Sequence, residues 1–381
     1  MISKRTLKIA VNVVGVKESF AGIGNCALHL FNELAQLTPD VQYYVYLSGG
    51  MQRHYQYSAP NIKTIPITIP FNSTLLRIVW DQLMFPFSLR KYNLLFSIIN
   101  VACLFSIIPQ ITFIYDLAEK HMPERFSFLK RVYLEYTHAI TLRKSRAVLT
   151  ISDSTKADLL SLFPKIISKV TVIPLGYKKL NTVRKQEVEI LQKHQIKAYF
   201  FCVATFEPGK NHIRLLEAFK RFVAMNNKAD FSLILAGGKG WYFEEVMQRV
   251  RELELEQQVV YTGFVTNEEL GYLMEHCTGF VFPSLYEGFG LPVLEAMQFY
   301  VPILTSNTSS LPEVGGAGVV YCDPRSADSI YDGLLELLRV DRRSLQLPYD
   351  EQMRKYTWQN GARAVLSILK SALNENCFKS I

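Results

Sequence analysis

Short apolar runs recur along the chain. Each is followed by a segment whose apolar positions fall three and four residues apart, and this alternation predicts parallel α/β sheets. In the first half, Leu7–Val14 predicts a strand that leads through a loop, Gly22-Ile-Gly24-Asn25, into a helix over Cys26–Leu37. Further strands are expected at Val41–Leu47, Leu94–Ile99, Ile111–Tyr115, Val148–Ser152 and Val170–Pro174. The rhythm restarts with Tyr199–Ala204, Phe231–Ala236, Val259–Tyr261, Gly279–Pro283, Ile303–Ser306 and Val319–Tyr321. Between the halves lies the polar, charge-rich stretch Tyr177–Lys197, read as a linker with the boundary near Leu175–Lys179. The pattern therefore predicts two doubly wound parallel-sheet domains, 1–178 and 179–356, with no internal repeat. Such sheets bind ligands at the carboxyl ends of their strands.

Composition narrows the class. The 381 residues suffice for two domains with ample cores, and 49% apolar content is too high for disorder. Six cysteines (26, 103, 202, 277, 322 and 377) are scattered without a C-x2-C pair, which argues for a reducing compartment and against a disulfide framework or a zinc site. Near the N-terminus Lys8 precedes only a short apolar run, so no signal peptide is expected. Leu94 to Tyr115 is uncharged over 22 residues, but Ser97, Asn100, Ser106, Pro109 and Gln110 interrupt it. Two buried strands fit that stretch better than a membrane-spanning helix.

Candidate chemistry concentrates in Phe282-Pro-Ser-Leu-Tyr-Glu287-Gly-Phe-Gly-Leu-Pro-Val-Leu-Glu295-Ala-Met. Two carboxylates stand eight residues apart around a Gly-x-Gly loop. Pro292 suits the first position of a helix, which would put Glu295 in the first turn and leave Glu287 on the loop. Gly288 and Gly290 permit close backbone approach to a ligand, and the N–H groups of a helix start attract anions. A phosphate at the helix tip with hydroxyl-bearing groups on either side describes a nucleotide sugar. Paired acids also serve glycosidases, at roughly 5–9.5 Å. Continuous helix would separate these backbones by about 12 Å, but the loop makes the spacing unreadable. The phosphate-type loop is what disfavours hydrolysis.

This segment resembles the donor-site signature of the retaining glycosyltransferases of family 4. The resemblance spans essentially the whole chain and implies the GT-B fold, with two Rossmann-like domains facing across a cleft. It implies an acceptor-binding domain at 1–178, a donor-binding domain at 179–356, and a last helix, about 357–381, crossing back onto the first. It also implies that Glu287 meets the donor sugar's hydroxyls and Glu295 the ribose hydroxyls. The backbone of Gly288, Phe289, Gly290 and Leu291 would lie along the diphosphate and sugar.

Upstream, Ala204-Thr-Phe-Glu-Pro-Gly-Lys210-Asn follows an apolar run and precedes a helical pattern with apolar residues at 213, 215, 216 and 219. A lysine on such a corner is placed to neutralise a diphosphate. The chain has no D-x-D pair, so no metal and no cofactor are expected beyond the donor. The segment is similar to the family's E-P-R-K-N motif, with Gly209 where arginine is common and Ala204 where some members carry a second basic residue. Lys210 then carries the leaving-group charge, with Thr205 a further donor contact and the backbone near Phe264 and Val265 the base pocket. Gly22-Ile-Gly24-Asn-Cys-Ala27 formally matches G-x-G-x-x-A, but seven residues separate it from Val14 and no acid ends the next strand. The family's glycine-rich loop is the better counterpart, which assigns Gly22, Gly24 and Asn25 to donor phosphates and acceptor. Ile111-Thr-Phe-Ile-Tyr115-Asp116-Leu matches a family strand ending in His-Asp-Leu. Tyr115 replaces the histidine and, with a pKa near 10, is a poor base. Asp116 either orients the acceptor or caps its own turn. His121, His138 and His212 read as surface or core histidines.

From Lys120 to Arg146, seven Lys/Arg stand against two acids, interleaved with aromatic residues and leucines. Anionic lipid headgroups or a polyprenyl diphosphate suit such a surface, and so does solvent. Nucleic acid does not fit, since no recognition motif accompanies the charge. The resemblance, including Leu311-Pro-Glu-Val-Gly-Gly316, points to GDP-mannose as donor. It also points to a lipid-linked glycan of O-antigen or capsule assembly as acceptor, and to peripheral attachment at the inner face of the cytoplasmic membrane. Partnership with other polysaccharide-assembly enzymes belongs to the same expectation. A GT-B epimerase and a non-catalytic sugar-nucleotide binder are the alternatives.

Overall fold

The computed structural model describes residues 6–16, 21–68, 74–181, 191, 196–225, 228 and 230–373. Among the described residues, runs rich in β-branched and aromatic side chains form thirteen strands in two sheets, every pairing parallel. The first sheet contains β1 (Leu7–Asn12), β2 (Val41–Ser48), β3 (Ile62–Ile67), β4 (Leu94–Ser97), β5 (Gln110–Ile114), β6 (Ala147–Thr150) and β7 (Val170–Val172), in the order β3-β2-β1-β4-β5-β6-β7. The second contains β8 (Ala198–Val203), β9 (Phe231–Ala236), β10 (Val259–Gly263), β11 (Gly279–Phe282), β12 (Ile303–Ser306) and β13 (Val320–Cys322), in the order β10-β9-β8-β11-β12-β13. Helices cover both faces, so strands such as β5, β9 and β11 are buried at every residue.

The chain divides into one unit of Met1–Gly176 with Tyr356–Ile381 and a second of Tyr177–Lys355. The second unit centres on Phe200, whose ring meets Phe222 and Phe231 at centroid distances of 5.1 and 4.9 Å. In the first unit Phe31 packs edge-on against Phe96 at 5.2 Å.

Several expectations need correction. β1 ends at Asn12 rather than Val14, because the chain turns at Val14 and Gly15. Gly22-Ile-Gly24-Asn25 is not a loop: Ala21–Asn25 is helical and continues through a π turn, Cys26–Leu30, into Phe31–Leu37. β3 escaped the sequence pattern because Pro66 interrupts it; it is an edge strand, where proline costs no ladder bond. The helix after β11 begins at Leu291, one residue early, so Pro292 takes the second position and Glu295 falls beyond the first turn.

The last described helix, Trp358–Ala372, packs on Phe31–Leu37 of the first unit. Thr357 caps it by accepting from Asn360 N at 3.1 Å, and Trp358 stacks on His29 at 5.4 Å. Residues 374–381, including Cys377, lie outside the described residues. Gly361 sets the approach of this helix, since a Cβ there would stand 2.5 Å from Pro174 O. Helix propensity alone favours Gly361→Ala by about 1 kcal/mol, whereas overpacking costs about 1–3 kcal/mol. Gly361→Ala should therefore lower the urea midpoint followed by circular dichroism, and a raised midpoint would show that the helix docks less closely.

Candidate functional site

The strand order of the second sheet reverses between the parallel neighbours β8 and β11, and the residues following these two strands form the site. After β8 the chain makes a short 3-10 turn, Pro208–Lys210, and enters the helix His212–Met225 through Asn211. Asn211 has φ 61°, a left-handed conformation that asparagine tolerates better than most residues. Its buried side chain donates from Nδ2 to Pro283 O at 3.0 Å and Pro324 O at 2.6 Å, while Oδ1 accepts from Arg214 at 3.1 Å. Leu285 N also donates to Gly209 O at 2.8 Å. The corner after β8 is thus fastened to the loop after β11. Lys210 Nζ and Glu287 Oε1 meet across this junction at 2.6 Å, with side chains 24% and 14% exposed.

A third segment braces the Glu287 loop from behind. Thr305 and Ser306 donate to the carbonyls of Phe282 and Ser284 at 2.9 and 2.6 Å. Ser309 Oγ accepts from Glu287 N at 3.1 Å, and Ser310 Oγ reaches the carbonyls of Glu287 and Phe289 at 2.9 and 2.7 Å. Sequence reading missed this support; its signal is the hydroxyl-rich run Thr305-Ser-Asn-Thr-Ser-Ser310 ahead of Leu311. Gly290, at φ 119°, makes the turn into the helix, and a Cβ there would lie 2.8 Å from Leu311 Cδ2. Gly288 and Leu291 are half-buried and Phe289 is buried. The helix Leu291–Met297 has only seven residues, so its dipole is short. Burial pushes the Glu295 carboxyl up to about 7, against an opposing pull from Lys178.

The carboxyl ends of β9 and β10 complete the group. Gly237 N donates to Gly263 O at 2.9 Å. Phe264 stands 79% exposed above Gly238, where an added Cβ would come within 2.6 Å of its ring. Val265 is half-buried beside it and Thr205 is exposed, while exposed Trp241, which sequence reading did not single out, meets the ring of Tyr242 at 5.8 Å.

The remaining sequence candidates, His212 apart, belong to the first unit. Gly22 has open space around it, whereas a Cβ on Gly24 would meet Tyr55 Oη at 2.5 Å; Asn25 is half-buried. Tyr115 is buried beside the Cys26 thiol, and burial pushes its hydroxyl pKa well above the ordinary value. Its backbone is held by Asn100 Oδ1 at 2.9 Å and Thr155 Oγ1 at 3.1 Å. Asp116 Oδ1 accepts from Ala118 N at 3.1 Å, a turn-capping bond. His121 pairs with Asp158 at 2.8 Å and buried His138 with Glu119 at 3.1 Å. His212 is buried against Phe206, and desolvation with the Lys210 charge lowers its pKa to about 3. It is neutral at physiological pH.

The pattern of the family described as "Glycosyl transferases group 1" matches residues 183–359. The O-antigen chain mannosyltransferase B of Escherichia coli is 31% identical over 263 residues, 68% of each chain. The O-antigen chain mannosyltransferase RfbU of Salmonella typhimurium is 28% identical over 55% of this chain and 56% of its own length. Among solved structures, Anabaena HepE in complex with UDP and glucose has a TM-score of 0.74 at 16% identity, covering 96% of this chain and all of its own. WaaG, a glycosyltransferase involved in lipopolysaccharide biosynthesis, has a TM-score of 0.69 at 14% identity, covering 94% and 99%.

Asn211→Gly isolates the amide, because glycine keeps the left-handed backbone while abandoning the Pro283 and Pro324 carbonyls. Leaving buried acceptors unpaired costs about 1–3 kcal/mol. The urea midpoint of Asn211→Gly should fall accordingly, and wild-type stability would show that the two loops are fastened by other contacts.

Proposed function

Because this chain belongs to the group 1 glycosyltransferases and has the GT-B fold, we propose that it is a retaining, metal-independent mannosyltransferase. It takes mannose from GDP-mannose to a lipid-linked or oligosaccharide acceptor of a bacterial surface polysaccharide, working peripherally at the inner face of the cytoplasmic membrane. The observation that carries the chemistry is the Lys210–Glu287 pair at the switch point of the second sheet. The choice of mannose is supported by the O-antigen mannosyltransferases among its relatives.

A lysine ammonium has three donors, so Lys210 can hold Glu287 and still face a phosphate oxygen. An ionised Glu287 only accepts, which suits it to sugar hydroxyls. In this reading the acceptor hydroxyl attacks the anomeric carbon on the face from which the diphosphate departs. The new C–O bond forms as the bond to phosphate breaks, and the leaving phosphate oxygen takes the hydroxyl proton. Lys210 and the Gly288–Leu291 backbone stabilise the negative charge that grows on the diphosphate. Phe264 offers a face for the base.

A thermal-shift panel of GDP, UDP, dTDP and ADP tests the donor, since a ligand at a hundred times its Kd stabilises by about 2.7 kcal/mol. GDP should raise the melting temperature of wild type and of Lys210→Ala. The latter should transfer mannose about 10²–10³-fold more slowly. A shift with UDP and none with GDP would overturn the mannose reading, and unchanged turnover in Lys210→Ala would remove its charge-stabilising role.

Glu295 supplies a pH dependence. Ribose hydroxyls donate to the ionised carboxylate, so bound donor favours the deprotonated form and lowers a pKa that stands near 7 in the free protein. GDP-mannose affinity should rise as pH increases towards 7 and level off above it, with proton release on binding below that point. The limiting slope is about tenfold per pH unit for one proton. Calorimetry in buffers of differing ionisation enthalpy reads the released proton; if Glu295→Gln releases as much, another group is responsible.

A further inference from the structure

Among the described residues, eleven large apolar side chains between 76 and 136 are exposed, against five in the whole of 177–355. They cluster on three elements. Leu76, Val79, Leu83, Met84 and Phe87 follow one face of the helical run Thr74–Ser88. Its middle, Trp80–Met84, is a π turn. Asp81 points inward there, accepting from Asn12 Nδ2 at 3.0 Å, while Leu83 and Met84 both stay outward. The loop bearing exposed Phe105 and Ile107 is tied to this run, since Gln82 Nε2 donates to Ala102 O at 3.2 Å and Gln82 Oε1 accepts from Leu104 N at 2.7 Å. The same loop reaches the helix Phe128–Lys144 through Ala102 N and Thr141 Oγ1 at 3.0 Å. That helix presents Leu129, Val132 and Tyr136.

Cations predominate among the exposed charges on these elements. Asp81 is the only acid in 74–92 and is buried, 104–110 has none, and Glu135 of the third element pairs with Lys120 at 2.8 Å. Arg90, Lys91, Lys130, Arg143 and Lys144 are exposed. Two copies joined through this face would set cations against cations, so self-association is disfavoured. Apolar side chains flanked by Lys and Arg fit the boundary between acyl chains and anionic headgroups. No described helix is long and apolar enough to cross a membrane.

We propose that this three-element face docks the protein on an anionic phospholipid surface, with Leu83, Met84, Phe87 and Leu129 entering the acyl region and the flanking cations at the headgroups. The proposal deepens the membrane placement in the proposed function and rests on it. It adds to the basic segment Lys120–Arg146 an apolar contribution that salt does not screen.

Flotation with vesicles of equal parts phosphatidylcholine and phosphatidylglycerol tests it. Between about 0.1 M and about 1 M salt the Debye length shrinks from roughly 10 Å to roughly 3 Å, yet a substantial part of the wild-type binding should persist. The triple variant Leu83→Ser, Met84→Ser, Phe87→Ser should partition on the order of a hundredfold more weakly, with unchanged melting temperature and unchanged transfer to a short soluble acceptor. Separately, Met84→Trp should show fluorescence beyond that of wild type that brominated acyl chains quench. Wild-type flotation of the triple variant, or no quenching at Met84→Trp, overturns the proposal. So does a wild-type dimer that the triple substitution splits without changing flotation. Vesicle binding with no transfer to any acceptor would instead refute the enzymatic reading and leave this surface standing.

Discussion

The amide of Asn211 is the fastening on which the site depends. Lys210 and Glu287 are separated by 77 residues and come from different strand ends, so nothing local makes them meet. One buried side chain, bonded to the carbonyls of both Pro283 and Pro324, closes that distance. The bridge requires a residue that accepts φ 61° and also carries two amide donors, and asparagine meets both demands. The backbone bond from Leu285 to Gly209 then sets the register between the loops.

Held this way, the Lys210–Glu287 pair is a device for orientation more than for stability. With side chains 24% and 14% exposed, both groups lose part of their hydration, and the desolvation cost offsets much of the Coulomb attraction. The separation of 2.6 Å nevertheless fixes where the ammonium stands. In the proposed reaction such fixed placement serves to stabilise the developing charge, because a preorganised charge needs no rearrangement. Hydroxyls from 305–310 serve the same end by satisfying the carbonyls and N–H of the glutamate loop without adding charge.

The alternation of strands and helices, the parallel sheets and the glycosyltransferase resemblance were legible because they are written in short-range patterns. The sixteen residues around Glu287 and Glu295 carry a strand, a turn and a helix start in sequence order. Asn211 was visible only as a neighbour of Lys210, since its partners lie 72 and 113 residues away. The hydroxyl run at 305–310 was missed for a similar reason: serines and threonines after a strand read as a loop until their acceptors are known. The error at Glu295 is of another kind. Proline fits either of the first two helical positions, and a shift of one residue moved the carboxylate out of the first turn.

The exposed face of the first unit marks a limit of periodicity itself. Leu76, Val79, Leu83 and Phe87 have the spacing of a core-facing stripe, yet they point outward. A π turn lies in the middle of this run. One wide turn at Trp80–Met84 allows Asp81 to bond Asn12 inside, and burial raises its carboxyl to about 6 although Asn12 and Arg77 pull the other way. Phe85 and Leu89 then supply the buried contacts, freeing the leucine and phenylalanine stripe from the core. An apolar stripe marks a face that would gain by leaving water; only the fold decides whether the protein itself covers it.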